Sequence, residues 1–368
     1  MSLDDLEKTS GVSRSMIYAY ERGTHVPRGE TVAKLSAALD VLPSFFFMSD
    51  PTAELAPIFM RHLRSKARAK EMVAVKRQLS WARLVVDAIE EYVVLPDVNV
   101  PDFHPPSDPR DISPDDIEKA AQAVRRHWSL GDGVIRDVIT LLENHGCIVV
   151  PEIVQSEHID AFSQWSPKRR PFIVTNSHYV TGVRWRVDMA HELGHLILHR
   201  MIDRRFIEAN PATHGLIERQ AFRFAGAFLM PKTTFEASIP HVSLDALLMA
   251  KSQWHLSVAS MLHRCEDLDI IDKETSQRLY RNLNRRGWKK TEPLDDVLTA
   301  EQPRLLANAI RAIAADDPAH LDEICLRTGL EGRDIARYCG VAATSLEVTD
   351  RALPLIRAKR DLGLAEDG

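Results

Sequence analysis

Cysteine is scarce in this chain and never clustered. Cys147, Cys265, Cys325 and Cys339 are the four among 368 residues, and no two form a Cys-x-x-Cys pair. Neither a cysteine zinc site nor a disulfide framework is indicated. Isolated thiols of this kind read as small buried hydrophobes in a reducing compartment. Long apolar runs are missing as well: no uninterrupted stretch approaches the roughly 18 residues that mark a membrane span, and the N-terminal residues carry no signal-peptide pattern. The expectation is a cytoplasmic protein with no membrane partner. An excess of positive charge is also absent. Lys and Arg total 47 against 52 Asp and Glu, a formal net charge of −5. Any contact with DNA must therefore come from a local patch. What is present is ordinary globular composition, 45% hydrophobic and 27% charged, in a chain long enough for two or three domains.

The most informative stretch is Met189-Ala-His-Glu-Leu-Gly-His-Leu-Ile-Leu-His199, inside a segment that reads as a helix over 187–199. On a helix, His191 and His195 share one face, with β-carbons about 5–6 Å apart. That spacing lets two imidazoles reach one Zn²⁺ at about 2.0–2.1 Å. Glu192 stands beside them, placed to take a proton from the attacking water of a hydrolysis. A catalytic zinc site needs a third protein ligand and an open position. The three-histidine continuation of the motif is broken, since Leu198 stands where its glycine belongs and Met201 where its last histidine belongs. A carboxylate is the better expectation. Glu218, on the next helix, is the candidate, with Glu208 and His214 as rivals. Asp188 reads as an orienting carboxylate or a surface acid, and His199 as a distal polar contact or a structural histidine. Mn²⁺ stays open beside Zn²⁺.

The front of the chain reads as short helices. Leu3 and Leu6 set one apolar face, Ser13 is placed to cap a helix over 14–21 that Gly23 closes, and 31–39 reads as another. A basic amphipathic helix is expected over 60–92, carrying Arg61, Arg64, Lys66, Arg68, Lys70, Lys76 and Arg77. Pro96, Pro101, Pro105, Pro106 and Pro109 then suggest a stiff linker. Ser113-Pro-Asp-Asp is a strong helix start running to about His127, and 134–144 reads as a second helix. Strands are expected at 146–150 and 170–175 with a turn at Asn176-Ser-His178, followed after Asn210 by a helix over 216–230. The remainder is helical by pattern. Its basic run around Trp288 reads as a solvated face anchored by the tryptophan.

Two resemblances follow from these residues. Leu3-Asp-Asp-Leu-Glu-Lys-Thr-Ser-Gly-Val-Ser-Arg-Ser-Met-Ile-Tyr-Ala-Tyr-Glu-Arg-Gly23 resembles DNA-binding domains of the phage-repressor (XRE/Cro) type. The resemblance implies that 14–20 is a recognition helix with Arg14, Ser15 and Tyr18 towards the major groove. Those domains have a further helix ahead of the pair, and codons upstream of Met1 are expected to encode it. The segments around Glu118, Ile159–Ser163 and Arg170–Ile173, the motif at 189–199, and Glu218-Arg-Gln-Ala-Phe-Arg-Phe-Ala-Gly-Ala-Phe-Leu-Met-Pro231 together resemble the ImmA/IrrE metallo-endopeptidases. That resemblance implies zinc held by His191, His195 and Glu218, Glu192 as the catalytic base, and a repressor-type protein substrate. It departs at Phe222, where the family often carries Asn or Asp.

The expected fold is mainly α with a small β-sheet, an α+β zincin-like core, with all-α helix-turn-helix and C-terminal regions. The expected boundaries are 1–48 for the helix-turn-helix, 49–110 for the basic helix and linker, 111–235 for the metallopeptidase, and 236–368 for the helical remainder. The competing function is a DNA-binding regulator whose metallopeptidase-like part is a non-catalytic sensor or scaffold.

Overall fold

The computed structural model describes residues 1–48, 66–151, 161–166, 168, 170–175, 182–202, 211–298, 300–342 and 357–358. Glu208, Arg61, Arg64, the Asn176–His178 turn and Asn210 lie outside these residues. So do the side chains of Lys66, Arg68 and Lys70. The described elements are fifteen α-helices and five short strands, mainly α with a small sheet, as the patterning leads one to expect. Among the described residues, no helix is long and apolar enough to cross a membrane. The chain forms two compact units. One comprises Met1–Glu54, Val73–Leu95 and Leu305–Gly368, the other Leu55–Met72 and Pro96–Arg304.

The first unit opens with α1 (Leu3–Ser10), α2 (Arg14–Glu21) and α3 (Gly29–Leu39). Ser2 and Asp5 form a reciprocal capping box that starts α1, which satisfies two otherwise orphaned amides. Val12, Ile17 and Leu35 make the small core, and Leu3, Leu6, Met16, Tyr20 and Phe46 pack around it. From Val73 onward, α4 (Lys66–Ile89) adds Val75, Leu79, Ala82, Val85, Val86 and Ile89 as a buried stripe, the spacing an amphipathic helix requires. A short strand β1 (Val93–Val94) follows. The chain returns to this unit as α13 (Leu305–Asp316), α14 (Ala319–Thr328) and α15 (Gly332–Tyr338). The Leu42 amide donates to the Gly329 carbonyl at 2.9 Å, and the Tyr338 hydroxyl bonds Gln78. β5 (Arg357–Ala358) pairs antiparallel with β1.

The second unit is built on α5 (Pro114–His127), α6 (Val138–Asn144), β2 (Ile148–Val150), β3 (Ala161–Trp165), β4 (Pro171–Thr175), α7 (Gly182–Leu198) and α8 (Pro211–Leu229). The sheet order is β2-β4-β3, with β2 parallel and β3 antiparallel to β4. β4 is buried at every position, as a central strand between neighbours should be. α7 packs on the sheet at β3 and most extensively on α8, whose other flank takes α5. Helices α9 (Lys232–Ser238), α10 (Leu244–Trp254), α11 (Val258–Asp267) and α12 (Lys273–Arg285) complete this unit. Buried Arg264 of α11 ties them on, with two nitrogens on the Glu118 carboxylate at 2.6 and 2.8 Å and a third donating to the Met230 carbonyl.

Three local expectations change. β3 was not expected from patterning, because a strand buried on both faces shows no alternation to read. α7 begins at Gly182, five residues ahead of the expected start. The proline-rich stretch is no free linker: Arg170 donates to the Pro96 carbonyl, Trp128 to the Asn99 carbonyl and Gln220 to the Pro109 carbonyl.

Candidate metal centre

Almost every residue of α7 is buried, its polar side chains included. A helix sealed on all sides ordinarily carries apolar residues all round. Arg186, Asp188, His191, Glu192 and His195 therefore require partners inside the protein. Arg186 finds them in Glu301 and in the carbonyls of Ile135 and Arg136. The two histidines find each other and Glu218. His191 Nε2 and His195 Nε2 lie 3.0 Å apart. Glu218 Oε2 is 3.5 Å from the first and Glu218 Oε1 is 3.4 Å from the second.

What brings Glu218 within reach is the closeness of α7 and α8. Gly194, inside the motif, faces α8 so tightly that a β-carbon there would stand 3.1 Å from the Phe224 ring and 3.2 Å from the Ala221 backbone. On its other side α7 is pinned to β3. The Ser163 hydroxyl donates to the Glu192 carbonyl at 3.2 Å, and the Trp165 indole donates to the Leu196 carbonyl at 3.1 Å.

The donor set fits a divalent metal. Four tetrahedral ligands at about 2.0–2.1 Å from zinc stand about 3.3–3.4 Å from one another, close to the separations here. Two imidazole nitrogens and a carboxylate suit Zn²⁺ and leave one position for water. Among the described residues, these three form the one group of metal-ligating side chains that converges in this way, and His214, on the same helix, does not join it. The electrostatics agree. Burial alone would raise the Glu218 carboxyl, but the His191 and His195 imidazoles set against it outweigh that and hold the group well below the usual carboxylate range. Glu192 is only 5% exposed and directly follows His191, within the turn that joins the two histidines.

Phe222 takes a different part from the Asn or Asp expected there. Its ring stands 4.3 Å from the His191 ring and walls that imidazole with apolar surface. It also lines a neighbouring cavity of about 360 Å³ with Val187, Asp188, Leu229 and Tyr280. His199 is completely buried, with one ring nitrogen 2.9 Å from His195 Nδ1 and the other 3.2 Å from Gln220 Oε1. Burial and the neighbouring His195 push its pKa well below the usual histidine range. Gln220 went unnoticed in the sequence. It lies two residues beyond Glu218, where a helix turns a side chain away from the ligand's face and towards the last turn of α7.

In the first unit, the three residues expected to face DNA lie together on α2. Tyr18 is 49% exposed, with the Arg22 guanidinium 5.2 Å over its ring. Arg14 is also exposed and pairs with Asp4 at 2.8 Å. The Ser15 hydroxyl sits 3.2 Å from that of Ser13.

Fold and site define a metallopeptidase-like domain carried in one chain with a helix-turn-helix domain. Residues 142–266 match the model of the Peptidase M78 family, described as an IrrE N-terminal-like domain, and residues 1–46 match a helix-turn-helix family model. No curated protein matches the chain.

Proposed function

We propose that this chain is a zinc-dependent endopeptidase that cleaves a repressor-type transcriptional regulator, with its helix-turn-helix domain contacting DNA through Arg14, Ser15 and Tyr18. The carrying observation is the convergence of His191 Nε2, His195 Nε2 and the Glu218 carboxylate on one buried point, with Glu192 on the same helix turn. A bound zinc would supply a water of lowered pKa and polarise the scissile carbonyl. Glu192 takes the proton of the attacking water and returns it to the leaving amine, a contribution of typically 10²–10⁴-fold. Ser163 and Trp165 hold the catalytic helix against β3. That strand is an outer one of the sheet among the described residues, an edge on which an extended substrate segment can add.

The test is cleavage of candidate regulators by the purified protein and by Glu192→Gln. The variant is expected to keep its metal and lose at least about a hundredfold in rate. Undiminished cleavage by Glu192→Gln would falsify the role of the base. Metal binding without any cleavage would favour a sensor domain in a DNA-binding regulator.

A further inference from the structure

The hydrogen bonds behind His195 run in one direction only. Gln220 Nε2 lies 2.7 Å from the Pro109 carbonyl and 3.1 Å from the Ile112 carbonyl. Both are pure acceptors, so the amide must turn its NH₂ towards them; the flipped amide would set an oxygen against two oxygens. Its Oε1 then faces His199 Nε2 at 3.2 Å, and an amide oxygen only accepts. His199 Nε2 therefore carries a proton. His199 Nδ1 stands 2.9 Å from His195 Nδ1. An imidazole that binds a metal through Nε2 keeps its proton on Nδ1. With Nε2 of His195 facing His191 and Glu218, a metal-bound His195 therefore donates from Nδ1, and His199 Nδ1 is the atom placed to accept.

We infer that His199 and Gln220 are positioning residues of the metal centre: a relay from the backbone carbonyls of Pro109 and Ile112 through Gln220 and His199 fixes His195 in the Nδ1–H tautomer and aims its Nε2 lone pair at the metal. The inference rests on the metal-centre reading above. It gives His199, four residues past the motif's last histidine, and Gln220, two past the ligand glutamate, one task. It also explains how the centre manages with Phe222 where another polar side chain was expected. The partner that orients a ligand comes from the far side, through His195 rather than His191. Such partners of metal-bound histidines fix ring orientation and raise ligand basicity. The start of the relay is well fixed. Pro109 is buried in a short 3-10 turn (Pro109–Asp111), and Ile112 directly precedes the Ser113 cap of α5.

The full-length protein serves for the test. First, ¹⁵N-histidine-labelled, zinc-loaded wild type is examined by long-range ¹H–¹⁵N correlation, with His195 and His199 assigned by difference from His195→Gln and His199→Gln. A protonated Nδ1 on His195 and, on His199, a protonated Nε2 with an unprotonated Nδ1 are expected. The opposite tautomer of either ring overturns the relay. Second, zinc affinity is measured by competition with a chromophoric chelator. His199→Phe removes the acceptor and is expected to bind zinc about 10- to 100-fold more weakly. His199→Gln, whose amide can accept from His195 and donate to Gln220, is expected to bind close to wild type. Equal affinity for wild type and His199→Phe overturns the relay and leaves the metal centre standing. A wild type that binds no zinc overturns the metal-centre reading itself.

Discussion

Burial decides how the four cysteines behave. Desolvation pushes the Cys147 and Cys339 thiols up to about 12 and that of Cys265 up to about 11. At pH 8, a thiol with such a value near 12 is ionised to roughly one part in ten thousand, and the thiolate is the nucleophile. Alkylation by iodoacetamide at pH 8 is expected to label the half-exposed Cys325 first, and the other three only in denaturant. Peptide mass spectrometry reads this, and fast labelling of Cys147 in the folded protein contradicts it. The same raised values have a sign for stability. The folded state keeps protons that unfolded thiols release above about pH 8.5. This contribution is therefore complete below that pH and declines as the pH rises towards 11–12. On the DNA side, Arg14 is an exposed cation held by one exposed carboxylate, a pair that water and salt weaken. Arg14→Ala is expected to lower DNA affinity and, if the contact is to phosphate, to reduce the salt slope by about one. Unchanged binding across a salt series contradicts that placement.

Helix packing carries the site, and two glycines locate where it is tightest. Gly194→Ala must push α8 away from α7 by a few tenths of an ångström, because backbone as well as ring stands against the new β-carbon. Overpacking of this kind typically costs about 1–3 kcal/mol, and here it also draws Glu218 from the histidines. Denaturant unfolding is expected to report the loss, and metal competition a weaker site. Gly329 has φ +65, and a β-carbon there would stand 2.6 Å from Phe45 Cα. Gly329→Ala is expected to destabilise by at least about 1–2 kcal/mol from the left-handed backbone alone. An unchanged midpoint contradicts the packing of α14 on the segment after α3. Elements with a local signature were legible beforehand. The Ser113-Pro-Asp-Asp start of α5 and the 3.6-residue stripe of α4 are written in neighbouring residues. So is the His191-Glu192-x-x-His195 face. What was not legible depends on tertiary burial. β3 shows no alternation because both its faces are covered, and α7 extends back to Gly182 through Arg186, a polar residue made tolerable by Glu301, more than a hundred positions away, and by the carbonyls of Ile135 and Arg136. Gln220 is silent in sequence because its partners, Pro109 and Ile112, are assembled by the fold.

Taken as a whole, the chain places its candidate metal ligands entirely in the unit formed by Leu55–Met72 and Pro96–Arg304, while the helix-turn-helix draws its packing partners from the unit's counterpart, including helices beyond Leu305. The periodicity of 236–368 could not divide those helices between the two, since amphipathic stripes record that a face is buried and not against what. If His191, His195 and Glu218 hold a metal in the native state only, binding stabilises that state by RT ln(1 + [Zn²⁺]/Kd), about 4 kcal/mol at a thousandfold excess over Kd. Chelation is therefore expected to lower the melting temperature of the wild type and leave that of Glu218→Ala where it is. The most direct measurement is the zinc content per chain of wild type, Glu218→Ala and Glu192→Gln, purified identically and read by elemental mass spectrometry. One zinc in the wild type, none retained in Glu218→Ala and one in Glu192→Gln are expected. A wild type without bound metal, or equal content in wild type and Glu218→Ala, contradicts the centre.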